Sequence, residues 1–366
     1  MNNRIQGPVT GIVLTLCLAV PLMQAHAQKP AKRPQKPAVN APPTKAQLNA
    51  ALATAVRKRS IDRVVDLLKR GADPNYVSDG SPVLVLAATG GIVTEADPET
   101  MMGDRGSVEV LLEAGAKPDA ADAKGQTALW KATQNGNAEL CGLLLDQHAS
   151  VDLADKEGVT PLMVATINAS SDTVELLLAH HADPNARTPD GLTPLGYLIL
   201  GGGQGNLVVA FMPGFGGPLK AMIFQKLVAA GADVKAKAKD GTGLLTIAAF
   251  KGDLAFARIL LDKGADINER STPGDTPLLA AALEGKVSLA RFLLAKGADP
   301  NLANSNGLTP LMTAVHKGNF AFVQMLLNKG ANASAQAKDG TTALKVADSQ
   351  KFTALKKLLV AAGAKE

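Results

Sequence analysis

The chain is poor in the residues that most often carry chemistry. Of its 366 residues, two are cysteine, five histidine and one tryptophan, and aromatics make up 3%. That scarcity excludes a core built on large rings, and the abundant Ala and Leu suit thin helices stacked closely. A disulfide framework is excluded as well. Cys17 lies in an N-terminal apolar run, and once that run is removed Cys141 has no partner. Cys141 stands in "AELCGLLLDQ", on the buried pattern of a helix, where a thiol serves packing. There is no nucleophile elbow, paired-cysteine motif, His-Glu pair or cofactor fingerprint. "GGGQG", residues 201–205, lacks the preceding strand and the following Lys-Ser/Thr of a phosphate loop. No catalytic residue, cofactor or metal ligand is therefore expected, and the chain reads as a non-enzyme.

The formal charge of +5 conceals an imbalance. Residues 1–45 hold six Lys/Arg and no acid, so the remaining 32 basic residues face 33 acids. A body so nearly balanced argues by count against nucleic acid as a partner. "MNNRIQGPVTGIVLTLCLAVPLMQAHAQ" has the layout of a secretory signal: Arg4, an apolar run over Gly11–Val20, then Ala25-His26-Ala27. The run is about ten residues where a membrane span needs about 20. Residues 1–27 thus read as a signal peptide cleaved near Ala27, which places the mature protein in the periplasm, with the extracellular medium as the alternative. Residues 28–45, "QKPAKRPQKPAVNAPPTK", form a disordered Pro/Lys-rich linker suited to a weak contact with anionic envelope components.

From residue 46 onward one sentence recurs. "GAD" or a variant begins at Gly71, Gly115, His148, His181, Gly231, Gly264, Gly297, Gly330 and Gly363, and six of the eight intervals are 33 residues. Such a period means a solenoid, because one unit cannot bury its own apolar faces. Thr127, Thr160, Thr193, Thr276, Thr309 and Thr342 suit helix N-caps, with Pro next at 161, 194, 277 and 310. A short Ala/Leu helix, a break and a second helix follow, as in "VSLARFLLAKG". A Gly closes that helix, and a polar connection ends in an Asn/Asp-Gly turn. At 148 and 181 His takes the place of Gly, which its tolerance of positive φ permits; a metal held by these two, His180 and Asp183 is the weaker reading.

Gly158, Thr160-Pro161-Leu162, Ala165 and His181-Ala182-Asp183, with parallel sets in the other units, resemble the ankyrin repeat family. The resemblance implies an all-α solenoid of about nine helix pairs with projecting β-hairpin or turn loops over 46–366, capped by 46–75 and 335–366. One position departs from the family. The His often found after Thr-Pro-Leu is replaced by Trp130, Met163, Gly196, Thr246, Leu279, Met312 or Lys345. Packing is expected to stand in for its hydrogen bonds.

The long intervals mark insertions near 90–105 and 201–217, both between the two helices of their units. The first gathers Glu95, Asp97, Glu99 and Asp104, but Pro98 interrupts any calcium-loop spacing. The second combines seven glycines with Leu207, Val208, Val209, Phe211, Met212 and Phe215, and reads as either a gripping finger or a loop folded back on the repeats. Members of the resembled family generally bind other proteins through hairpin tips and the concave helix face. Carried onto this chain, those positions are Lys124, Gln126, Gln134, Asn135, Lys156, Val159, Ile167, Asn168, Leu192, Lys239, Phe250, Lys251, Leu283, Leu308, His316 and Lys317, with Phe211 and Phe215 from the insertion. The expectation is a monomeric scaffold in the cell envelope that recognises a protein partner. A secreted effector binding another organism's proteins, or an enzyme or metal protein using the long loops, are the alternatives.

Overall fold

The computed structural model describes residues 42–89, 103–201 and 216–365. The expected signal peptide, the Lys/Pro-rich stretch through residue 41, most of both insertions, and with them Phe211 and Phe215, lie outside the described residues.

Among the described residues, eighteen helices form nine consecutive pairs. The first helices are α1 (Lys45–Arg57), α3 (Val83–Ala88), α5 (Ala128–Gln134), α7 (Pro161–Ile167), α9 (Pro194–Leu200), α11 (Leu244–Lys251), α13 (Pro277–Leu283), α15 (Pro310–His316) and α17 (Ala343–Ser349). Their partners are α2 (Ile61–Lys69), α4 (Arg105–Glu113), α6 (Ala138–Asp146), α8 (Ser171–Ala179), α10 (Gly216–Ala229), α12 (Leu254–Asp262), α14 (Val287–Ala295), α16 (Phe320–Asn328) and α18 (Thr353–Ala361). First helices stack on first helices and second on second, giving the two-layered all-α solenoid that the period demands. The projecting loops hold little strand. β1 (Val77–Ser78) pairs antiparallel with β2 (Ser81–Pro82), and single bridges join Ala121 to Thr127, Lys237 to Gly243 and Gln336 to Thr342.

Three boundaries shift from the sequence reading. Thr44 and Gln47 form a reciprocal capping box, so the first repeat opens inside the stretch read as linker. Asp104 caps α4 by accepting from the Ser107 N–H, which removes 103–105 from the first insertion. Gly216 and Gly217 already belong to α10, and Pro218 sits in its first turn, where no N–H is required.

The repeated threonines act as their chemistry suggests. Each of the six hydroxyls accepts from the backbone N–H three residues on, that of Trp130, Met163, Gly196, Leu279, Met312 or Lys345. The sixth repeat differs. Gly243 stands at the cap position of α11, and the Thr246 N–H instead donates at 2.8 Å to Glu269 Oε1 in the connection that follows α12, as does the Thr246 hydroxyl. A Cβ on Gly243 would collide with Glu269 Oε2, so any larger residue must displace that carboxylate. At the far end of the helix pairs, His148 and His181 adopt φ of 64° and 65°, the left-handed conformation that Gly takes in the other units.

One continuous apolar core runs through the described repeats, with Leu52, Leu84, Leu129, Leu162, Phe224, Leu245, Leu293 and Leu326 fully enclosed. Enclosing a leucine side chain contributes about 1.5–3 kcal/mol, and every unit lends its neighbour several. Packing replaces the missing family His where Met163, Leu279 and Met312 lie buried. At three positions the expectation of packing alone is corrected. Trp130 Nε1 donates to the Val159 carbonyl at 3.1 Å, and Thr246 binds Glu269, because both side chains carry donors that burial obliges to find partners; Lys345 is exposed, and its ammonium donates to the Gly340 carbonyl at 2.9 Å.

A second ladder follows the lower edge, just past the left-handed residues. Asn75 Oδ1 accepts from Lys117 N–H, Asp119 from Ser150, Asp152 from Asp183, Asn185 from Asp233, Asn268 from Asp299 and Asn301 from Asn332. At the equivalent position between repeats five and six stands Lys235, whose ammonium has no acceptor to offer. The tips are joined similarly: Lys156 N–H donates to Lys124 O, Lys239 to Asp190, Thr272 to Asp240, Ser305 to Pro273 and Lys338 to Asn306. Pro189 has no N–H with which to continue this row from Glu157.

Candidate functional site

The exposed side of the first-helix layer is set by register. The last turns of α5, α7, α9, α11, α13, α15 and α17 place Gln134, Ile167, Leu200, Phe250, Leu283, His316 and Ser349 at equivalent positions; one turn earlier stand Lys131, Val164, Tyr197, Ile247, Ala280, Thr313 and Val346. In repeats four to seven both rows are apolar or aromatic, and polar residues flank them on either side. Val164, Ile247 and Ala280 are buried, Ile167, Tyr197, Leu200 and Leu283 half-buried, and Phe250 is 42% exposed. The Asn168 amide donates to the Gln134 carbonyl at 2.9 Å, and the Asn135 amide to Ala88 and Thr89 carbonyls, stapling neighbouring helix ends. Lys220 Nζ donates to the Gly201 carbonyl at 2.9 Å. Burial lowers the Lys220 pKa, which Asp253 partly offsets.

The residues expected at the interface fall into three groups. Lys124, Gln134, Lys156, Lys239, Phe250, Lys251, His316 and Lys317 are exposed, and His316 Nδ1 lies 2.8 Å from the Gln350 amide. Asn135, Val159, Ile167, Asn168, Leu192, Leu283 and Leu308 are half-buried; Leu192 and Leu308 pack against the core beneath the tips. Gln126 does not belong on the surface. It is 8% exposed, and its Oε1 accepts from the Lys131 ammonium, which also lies 3.7 Å from Asp122 and 5.3 Å from the Trp130 ring centre. Burial lowers the Lys131 pKa against the opposing pull of Asp122.

Tyr197 and Leu200 were missed by sequence reasoning. The 33-residue register leads directly to them, since Leu200 follows Ile167 by that interval; the adjoining glycine-rich stretch masked it. Tyr197 is half-buried, and its hydroxyl is shifted upward, first by burial and then by the charges of Asp155, Glu157 and Asp190 at the tips above it.

Reactive chemistry has little foothold among the described residues. No group of three or more His, Cys, Asp or Glu is placed to hold a metal ion. Cys141 is buried against Thr133, its Sγ 3.5 Å from the hydroxyl, and burial pushes the thiol up to about 11. No described helix is long and apolar enough to cross a membrane.

Comparison with known proteins agrees with the geometry. The family model for ankyrin repeats (3 copies) matches residues 100–188, 219–304 and 280–365. Among solved structures, the ankyrin repeat domain of human ASB11 superposes with a TM-score of 0.54 at 22% identity, over 65% of this chain and 98% of that one. No curated protein sequence matches. Ankyrin repeats are generally protein–protein interaction scaffolds and typically non-catalytic. By its period, its stacked helix pairs and the family model that covers most of its length, this chain belongs to the ankyrin repeat family.

Proposed function

We propose that this protein is an exported, non-catalytic scaffold of the cell envelope that captures a protein partner on its concave helix face. The observation that carries this reading is the strip formed by Ile167, Tyr197, Leu200, Phe250 and Leu283. Four consecutive repeats keep apolar groups open to solvent where the flanking units use Lys131, Gln134, Thr313 and His316. An apolar centre with a polar rim is the composition of a recognition surface. The tip lysines Lys124, Lys156 and Lys239 supply a polar edge beside it. The N-terminal Arg4, the short apolar run and Ala25-His26-Ala27 support export to the periplasm.

The test has two arms. Fractionation with an antibody against the repeats should find the protein in the periplasm, shortened by its first 27 residues; full-length protein retained in the cytoplasm would refute export. For binding, affinity capture from periplasmic extract compares the wild type with an Ile167→Asp/Phe250→Asp variant whose helicity is unchanged. A partner retained at stoichiometric yield by the wild type and lost by the variant supports the strip. Equal retention by both moves the recognition surface elsewhere.

A further inference from the structure

Beyond a first repeat that is itself basic, with seven Lys/Arg against four acids over residues 42–89, the near-neutral body holds two opposed stretches. Residues 103–201 carry fourteen acids against six basic residues, whereas residues 216–365 carry twenty basic residues against eleven acids. The division is sharpest on the exposed side of the second-helix layer. Six residues before the terminal Gly or His of their units stand Glu109 and Glu175 in repeats two and four, but Arg258, Arg291 and Lys357 in repeats six, seven and nine. Near the same helix ends, Glu113 and Asp146 in repeats two and three are followed by Lys263, Lys296 and Lys329 in repeats six to eight, all exposed, although repeat six keeps Asp262 beside Lys263. Between the halves lies α10 of repeat five, which shows solvent the neutral Gln225 and Met222, the latter 41% exposed.

We propose that this outer face pairs with the same face of a second copy, turned about a two-fold axis through repeat five. A copy laid parallel would set like charges against each other. Turned by the two-fold, repeat four meets repeat six and repeat three meets repeat seven. Asp172 and Glu175 then face Arg258 and Lys263, Asp146 faces Arg291 and Lys296, and Met222 meets its own equivalent at the axis. Within one chain the acids are partly answered already, Glu139 by Arg105 and Glu175 by Lys226, in exposed pairs that contribute little. In the basic half Lys226 and Lys356 are answered by Glu175 and Asp348, but the outward row is not. Among the described residues Arg258, Lys263, Arg291, Lys296 and Lys329 have no carboxylate within ion-pair distance; Arg258 and Lys296 lie over the Phe292 ring, 5.0 and 5.9 Å from its centre. Contacts between exposed charges fix orientation and speed encounter more than they tighten binding. The pair is therefore reversible and salt-sensitive, and it leaves the concave strips of both copies open. It differs from the monomer expected from the sequence, and it is independent of the proposed partner on the other face.

Sedimentation equilibrium of the purified protein tests this. Dimer is expected at about 0.01 M salt and monomer at about 1 M, as the screening length falls from about 30 to about 3 Å. The variants Arg258→Glu/Arg291→Glu and Asp172→Lys/Glu175→Lys, all at exposed sites, should each self-associate at least roughly tenfold more weakly at low salt while keeping the wild-type melting temperature. Mixing the two in equal amounts should restore a dimer containing one of each, which a merely misfolded variant cannot do. A wild type that stays monomeric at low salt, a dimer indifferent to salt or to the reversals, or growth into open chains beyond the dimer would overturn the proposal.

Discussion

Helices α11 and α13 occupy the same place in adjacent repeats and solve the same problem differently. The first turn of α13 takes the hydroxyl of Thr276 from its own repeat. The first turn of α11 begins at Gly243 and takes the carboxylate of Glu269 from the connection beyond α12, itself only 7% exposed. In the first case the orphan N–H is satisfied within about four residues of chain, and the unit is self-sufficient at that point. In the second, the helix start is complete only when the chain has passed through α12 and folded back against it. A local hydrogen bond has become a long-range one, which couples α11 to the connection leading into repeat seven.

Removing the long-range cap should have the largest effect. Glu269→Ala leaves the buried Thr246 N–H and hydroxyl without an acceptor and is expected to cost roughly 3 kcal/mol, read as a lowered urea midpoint. Gly243→Thr should come next, at about 2 kcal/mol, because its side chain displaces the carboxylate. Combined with Glu269→Ala the same threonine supplies its own hydroxyl, so the double variant should recover most of the loss; strictly additive losses would show that Gly243 and Glu269 are not coupled. Thr276→Ala, which removes the local cap, is expected to cost about 1 kcal/mol.

The smallest effect is the pH dependence. Burial raises the Glu269 pKa above the usual carboxylate range, with Asp266 adding to the rise, while the Thr246 hydrogen bonds and Lys237 act against it. A carboxyl raised on folding favours the native state at low pH, and that contribution is lost as pH climbs through the folded value. Wild-type stability should therefore fall, relative to Glu269→Gln, as pH rises from about 4.5. The comparison is needed because Asp152, also raised by burial, slopes the same way in both proteins. Urea midpoints for the pair across the acid range measure the difference, and parallel curves would remove the carboxylate from the account.

Much of this was legible beforehand. Period, helix pairs, Thr caps and left-handed helix ends follow from local chemistry repeated at a fixed interval, and His148 and His181 fit it as tolerated substitutes for Gly. Glu269 was not legible. In "DINERST" it reads as a solvated loop acid, and its one signal was indirect: Gly243 where the register asks for Thr. The strip was half visible, because Ile167, Phe250 and Leu283 could be placed by analogy while Leu200 stands at the edge of an interruption. Gln126 looked like surface because polarity alone does not reveal that Lys131 folds over it. The charge division escaped for a different reason: a total taken over the whole body cancels what lies in different places.

Lys235 has a mechanical consequence. Where Asn or Asp would have tied repeat five to repeat six along the lower edge, that joint relies on helix packing and the Lys239–Asp190 bond at the tip. Under tension applied at the two termini, the solenoid should part first at this seam, yielding two shorter stacks that each keep their remaining ties.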